Sequence, residues 1–195
     1  MDRQLDQLIG FLTSTHIISG VKASEIAAYF YEKELQKNAL FLKEGQVSNE
    51  YLILGSGFMR AYSVDLSGNE VTTAFYSAVQ PVFEVASFFN RAPSKENIQA
   101  LTPSKGWVIT FENLNHIFHS IPEFREFGRS ILVRGFSNLK LRMLSMITET
   151  AEQRYASLLQ HNPEIFQYAP LKHIASYLGI TDSSLSRIRK DINNS

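Results

Sequence analysis

The stretch LKHIASYLGITDSSLSRIRK, residues 171–190, restricts the fold of this chain more than any other. Ile174, Ala175 and Leu178 share one face at helical spacing. Gly179 follows where a helix ends most easily with positive φ. Ile180 can plug the corner. Thr181 suits an N-cap and Asp182 suits the first turn of the next helix. Leu185 and Ile188 give that second helix a buried stripe, and Ala175 is small where the two helices must approach. The spacing therefore predicts two short helices joined by a tight turn.

This arrangement leaves Asp182, Ser183, Ser184, Ser186, Arg187, Arg189 and Lys190 mostly on the open side. Small hydroxyls and guanidinium groups on such a helix can reach phosphates and base edges in a major groove. The segment carries Lys172, Arg187, Arg189 and Lys190 against Asp182 alone. That local excess stands in a chain that is neutral overall, with 19 basic and 19 acidic residues. No global field draws it to nucleic acid or membrane, so DNA affinity must come from this local patch. A helical hairpin that merely packs is the alternative.

The rest of the chain divides by periodicity. Leu5, Leu8, Ile9 and Leu12 place an amphipathic helix at 2–13, and a second is expected at 24–31 with Ser24 as its cap. Short β-branched or aromatic runs follow at 39–42, 51–54, 58–64, 71–76, 98–101 and 107–111. Turn residues separate them, and 65–69 reads as a hairpin turn. Strands so spaced indicate a small antiparallel barrel or sandwich. Pro81 and Pro93 are expected in irregular connections with no strand between them.

Helical spacing returns at 113–120. Pro122 can begin a long helix that runs to about residue 148. Leu132, Phe136, Leu139, Met143, Met146 and Thr150 step alternately by four and three, a heptad seam. The seam fits a helix packed on its own barrel or a contact between two chains, and its length favours the second. Another helix spans 151–161.

At 195 residues and 44% hydrophobic, the chain can bury a core. It has no cysteine, which excludes disulfides and thiolate metal sites. The N-terminus has no apolar core of a signal peptide, and no apolar run can span a bilayer, so a soluble cytoplasmic protein without membrane partners is expected. His116 and His119 are three apart, with Glu112 the one nearby acid, which makes a weak metal set. No nucleophile elbow and no phosphate-binding loop occur. Neither an enzyme nor a metal site is expected.

The parts in this order resemble the Crp–Fnr family of bacterial transcription regulators. The most specific segment is AEQRYASLLQHNPEIF…APLKHIASYLGITDSSLSRIRK, similar to a branch common in Bacteroidetes-type bacteria. EGQVSNEYLILGSGFMRAYSVDLSGNE and FEVASFF…APS…IQAL carry the sensor-domain likeness. The resemblance implies an α+β chain: a jelly-roll, cyclic-nucleotide-binding-like domain at 1–121, a dimerisation helix at 122–149 and a helix-turn-helix domain at 150–195. It implies a homodimer on double-stranded DNA, with RNA polymerase as a further partner. Thr181, Asp182, Ser183, Ser184, Ser186, Arg187, Arg189 and Lys190 would face DNA. Leu132, Phe136, Leu139, Met143 and Met146 would form the dimer contact.

Two departures qualify the likeness. Cyclic-nucleotide binders of the family use Gly-Glu followed some ten residues on by Arg-Ser. Here Phe83 precedes Glu84, and Ser94 and Lys95 stand at the second pair, so cyclic AMP is not expected to bind tightly. No cofactor is required. An unidentified small effector would instead meet Arg60, Tyr62, Tyr76, Glu84, Ser87, Phe88 and Lys95 in the barrel, unless these are ordinary surface and core residues. The sequence also stops at Ser195, where most members continue into a β-hairpin wing, which would put more weight on dimerisation. The competing function is a sensor that acts through protein contacts without reading DNA.

Overall fold

The computed structural model describes residues 3–193. Helices α1 (Arg3–Thr13) and α2 (Gly20–Ala27) precede two four-stranded antiparallel sheets. One sheet runs β1 (Tyr31–Leu35), β8 (Ser104–Thr110), β3 (Glu50–Ser56), β6 (Gln80–Val82). The other runs β2 (Leu40–Leu42), β7 (Asn97–Ala100), β4 (Met59–Val64), β5 (Glu70–Tyr76). The strand order is non-sequential, as in a jelly roll. Helix α3 (Val85–Asn90) lies between β6 and β7, and α4 (Phe111–Ser120) and α5 (Pro122–Thr148) follow β8. The chain ends in α6 (Ala151–His161), α7 (Ile165–Tyr168), α8 (Leu171–Tyr177) and α9 (Asp182–Asn193). Among the described residues no helix is long and apolar enough to cross a membrane.

Alternation decides which side of each strand meets the core. Met59 and Ala61 pack with Leu52, Leu54, Ile98 and Val108 between the sheets. Phe58, Arg60 and Tyr62 have the opposite parity and face outward. A second core joins α1, α2, α4 and the start of α5 around Leu8, Phe11, Leu12, Ile117 and Phe127. A third holds α6 to α9 together, and it includes Phe58 and Leu101 of the sheet domain.

Several expectations need correction. The second helix runs Gly20–Ala27 and Ser19 caps it; the Ser24 hydroxyl bonds back to the Gly20 carbonyl. Tyr31 begins β1, a strand of charged residues held across the sheet by Lys105 to Glu32 at 2.7 Å and by Lys33 to Glu50. Pro81 lies inside β6, an edge strand where its missing N–H costs no ladder bond. Thr150 does not extend the α5 seam. It caps α6 in a capping box with Gln153.

Candidate functional site

The corner between α8 and α9 follows from its residues. Leu178 is the C-cap of α8, and Gly179 takes φ +68°. A Cβ there would also lie 2.6 Å from Met146 Cε, so Gly179 both turns the chain and receives a methionine from α5. The Ile180 N–H donates to the Ala175 carbonyl at 3.0 Å. Thr181 Oγ1 accepts the Ser184 N–H at 3.2 Å, which caps α9.

Leu185 and Ile188 are buried under α8. Asp182, Ser183, Ser186, Arg187 and Lys190 are exposed, and Ser184 and Arg189 are half-buried. Ser183 and Ser184 place their hydroxyls 3.0 Å from Thr181 Oγ1, so both are oriented at the helix start. The exposed side is therefore polar and basic over two turns, with N–H groups at its start. Such a surface can take phosphates at its rim and base edges at its centre.

Helix α8 docks on the outer face of β5. The Thr72 N–H donates to Ser176 Oγ at 3.1 Å. Phe75 packs on Tyr177 with centroids 5.1 Å apart, and Phe58 bridges Phe75 and Tyr168 at 5.7 and 5.5 Å. Beneath α8 lies Arg60, 2% exposed, paired with Glu70, bonded to Gln99 Oε1 at 3.0 Å and stacked on Tyr62. His173 covers this pair with Nε2 3.8 Å from Glu70 Oε2.

His173 is expected to make the junction of α8 with β5 pH-dependent. The residue is 7% exposed, and its ring nitrogens have no hydrogen-bond partner. Burial first, then the Arg60 and Lys172 charges, push its pKa down to about 4, against the opposing pull of Glu70 and Asp182. In the unfolded chain the ring titrates at the ordinary value of 6.5. Between those values the unfolded state binds a proton that the native state does not, so stability rises with pH. Stability is expected to be complete above the unfolded pKa and to have lost about 2 kcal/mol at about pH 5. Urea unfolding at about pH 7.5 and about pH 5 measures this. His173→Leu should remove most of the difference.

The seven residues expected to line an effector pocket do not converge. Arg60 pairs with Glu70 under His173 of α8, and Tyr62 stacks on Arg60, both on the outside of the barrel. Tyr76 packs against the core between the sheets, whereas Phe88 belongs to the core around α1. Glu84 caps α3 by accepting the Ala86 and Ser87 N–H groups. Ser87 Oγ accepts the Ser48 N–H at 2.8 Å, and Lys95 is exposed. His116 and His119 gather no third ligand, and the described residues contain no cluster suited to a metal.

Comparison with known proteins places the whole architecture. Residues 32–120 match the cyclic nucleotide-binding domain. The fumarate and nitrate reduction regulatory protein of Vibrio cholerae is 25% identical over 168 residues, 80% of this chain and 66% of that protein. The Escherichia coli protein of the same name is 24% identical over 168 residues. The chain thus spans just under two thirds of the length of these relatives. The chain is similar to Crp–Fnr regulators.

Solved structures agree in fold. FixK2 from Bradyrhizobium japonicum superposes with TM-score 0.71 at 16% identity over 85% of each chain. The Thermus thermophilus catabolite activator protein gives 0.59 at 16% identity, over 94% of this chain and 87% of that one.

The segment 83–95, where a cyclic-nucleotide binder would place its Gly-Glu and Arg-Ser pairs, has its side chains engaged within the chain. Phe83 packs on Tyr51 with centroids 4.5 Å apart and also touches Phe88 and Phe89. The Glu84 carboxylate is used within α3. Ser94 is buried and bonded to the 45–46 backbone through its own N–H and carbonyl. Between Glu84 and Ser94 stands Arg91, which sequence reasoning overlooked. Its guanidinium is bonded to the Ser48 carbonyl at 2.6 Å and to Asn49, and it stacks on Phe111. The Arg91 guanidinium is thus engaged with its own chain. Titration calorimetry with cyclic AMP is expected to show no binding at micromolar concentration. A micromolar isotherm would contradict this.

Proposed function

We propose that this chain is a DNA-binding transcription regulator that works as a homodimer and has no enzymatic activity of its own. Residues 1–121 act as a sensor of an effector other than cyclic AMP, 122–149 as the dimerisation helix, and 150–195 as the DNA reader. The carrying observation is α9. Leu185 and Ile188 are buried, and Ser183, Ser186, Arg187 and Lys190 are exposed together on its outer side. The regulatory relatives and the exposed apolar residues along α5 support the same reading. Two copies paired through α5 would offer two reading helices to successive major grooves. RNA polymerase is the further partner in this reading, and the cytoplasm its location.

Retardation of genomic DNA fragments tests the proposal. Binding is expected at low salt and should weaken steeply as salt rises, because phosphate contacts release counterions. Arg187→Ala should cost about 1–3 kcal/mol and relax preference at one position of the site. Uniform binding of all sequences by both proteins would remove the role given to Arg187. An absence of retardation at low salt would favour a sensor acting through protein contacts.

A further inference from the structure

The long helix is nearly free of its own chain after Ile131. From 132 to 148 every residue is exposed except Arg142 and Ser145, which are half-buried. Arg142 projects into the junction between sensor and reader. Its Nη1 donates to the Thr73 carbonyl on β5. Its Nη2 donates to the Tyr177 carbonyl at 3.0 Å, and the guanidinium lies 3.9 Å over the Tyr177 ring. One side chain thus joins α5, the edge strand of the sensor and the last residue of α8.

We propose that Arg142 is the positioning residue that sets the angle at which α9 is presented relative to the dimerisation helix. This rests on the DNA-reading function proposed above and adds the group that fixes its geometry. The Tyr177 carbonyl is among the last of α8, which lack intrahelical donors, and a cation suits that helix end. The adjoining Leu178 carbonyl is held by Arg154 from α6 at 3.2 and 3.0 Å. Arg154 also bonds the Glu149 carbonyl at 2.6 Å. Two arginines therefore grip the corner of the reading unit, and Arg142 alone extends the grip to the sensor sheet. A planar fork can bond two carbonyls and stack at once. An ammonium group cannot do all three.

A fixed head makes a dimer sensitive to the distance between half-sites. A loose head would tolerate a wrong distance and would still bind one half-site. Arg142 bonds Thr73 on β5 and Tyr177 on α8, so its loss is expected to act on spacing rather than on base preference.

The test uses the full-length chain and its Arg142→Ala, Arg142→Lys and Tyr177→Phe forms. Without DNA, amide exchange at Thr72 should be about tenfold faster in Arg142→Ala, while β3 and β8 keep the parent rates. With duplexes selected from a random pool, the parent should prefer the recovered half-site spacing over one changed by two base pairs. Arg142→Ala and Arg142→Lys should lose that preference by about tenfold or more, with single-half-site affinity kept within about threefold. Tyr177→Phe keeps the ring and the carbonyl and should match the parent. Retained spacing preference in Arg142→Ala, or its rescue by lysine, would overturn the proposal. If the parent binds no duplex while Thr72 exchange still rises, the DNA-reading function fails and the positioning role falls with it. Unchanged Thr72 exchange would overturn the tie itself.

Discussion

Replacing Phe136 and Leu139 together by glutamate is expected to make the protein monomeric and to weaken its binding to a two-half-site duplex by about 100-fold or more. Phe136 is 71% exposed and Leu139 63% exposed on the isolated chain. Leu132 and Met143 continue the same seam, and both are also exposed. Apolar side chains in a heptad row are costly to leave in water and gain by pairing with an equivalent row. Two carboxylates per chain would meet their symmetry mates at the centre of that contact, where neither water nor a cation offsets them. The fold of each chain should survive, because these side chains touch little of their own body. Sedimentation velocity reads the mass, and circular dichroism reads the fold. A double variant that remains dimeric would exclude this seam as the interface.

Phe58→Ala is expected to destabilise the protein by about 3–5 kcal/mol, the usual range for a large aromatic deleted from a core. Phe58 is almost completely buried. Its ring lies against Phe75 on one side and Tyr168 on the other, so the cavity would open where sensor and reader meet. Its main-chain N–H donates to Thr102 Oγ1 at 2.9 Å, a bond the substitution leaves in place. The loss is therefore of packing, and it falls on the shared apolar cluster. Chemical denaturation should show the lower stability, together with faster proteolysis of 150–195. A loss below about 1 kcal/mol would mean that the cluster does not join the two parts as described.

The reader was legible because its signals are local. Gly179, Thr181 and the Ile174, Leu178, Leu185, Ile188 spacing each act within a few residues, and the turn could be placed from them alone. The strands with clear β-branched runs were legible for the same reason. β1 was not, since Tyr31–Leu35 is a charged strand whose reason for being one is Lys105, far along the chain. The candidate pocket failed for a related cause. Alternation correctly put Arg60 and Tyr62 on one face with Phe58. It could not say that this face meets α8 while Met59 and Ala61 fill the barrel. Arg142 stood in the sequence as a polar interruption beside the seam. Its two carbonyl partners lie 69 positions before it and 35 after it, and no short-range pattern carries that information.

The most direct measurement is a selection of duplexes from a random pool by the purified protein at low salt, followed by sequencing. The expected outcome is an inverted repeat whose half-sites lie about 34 Å apart, one helical turn, with one position losing its preference in Arg187→Ala. A pool that remains random, or one enriched for a single unpaired half-site by a protein that sediments as a monomer, would contradict a regulator that reads DNA as a pair.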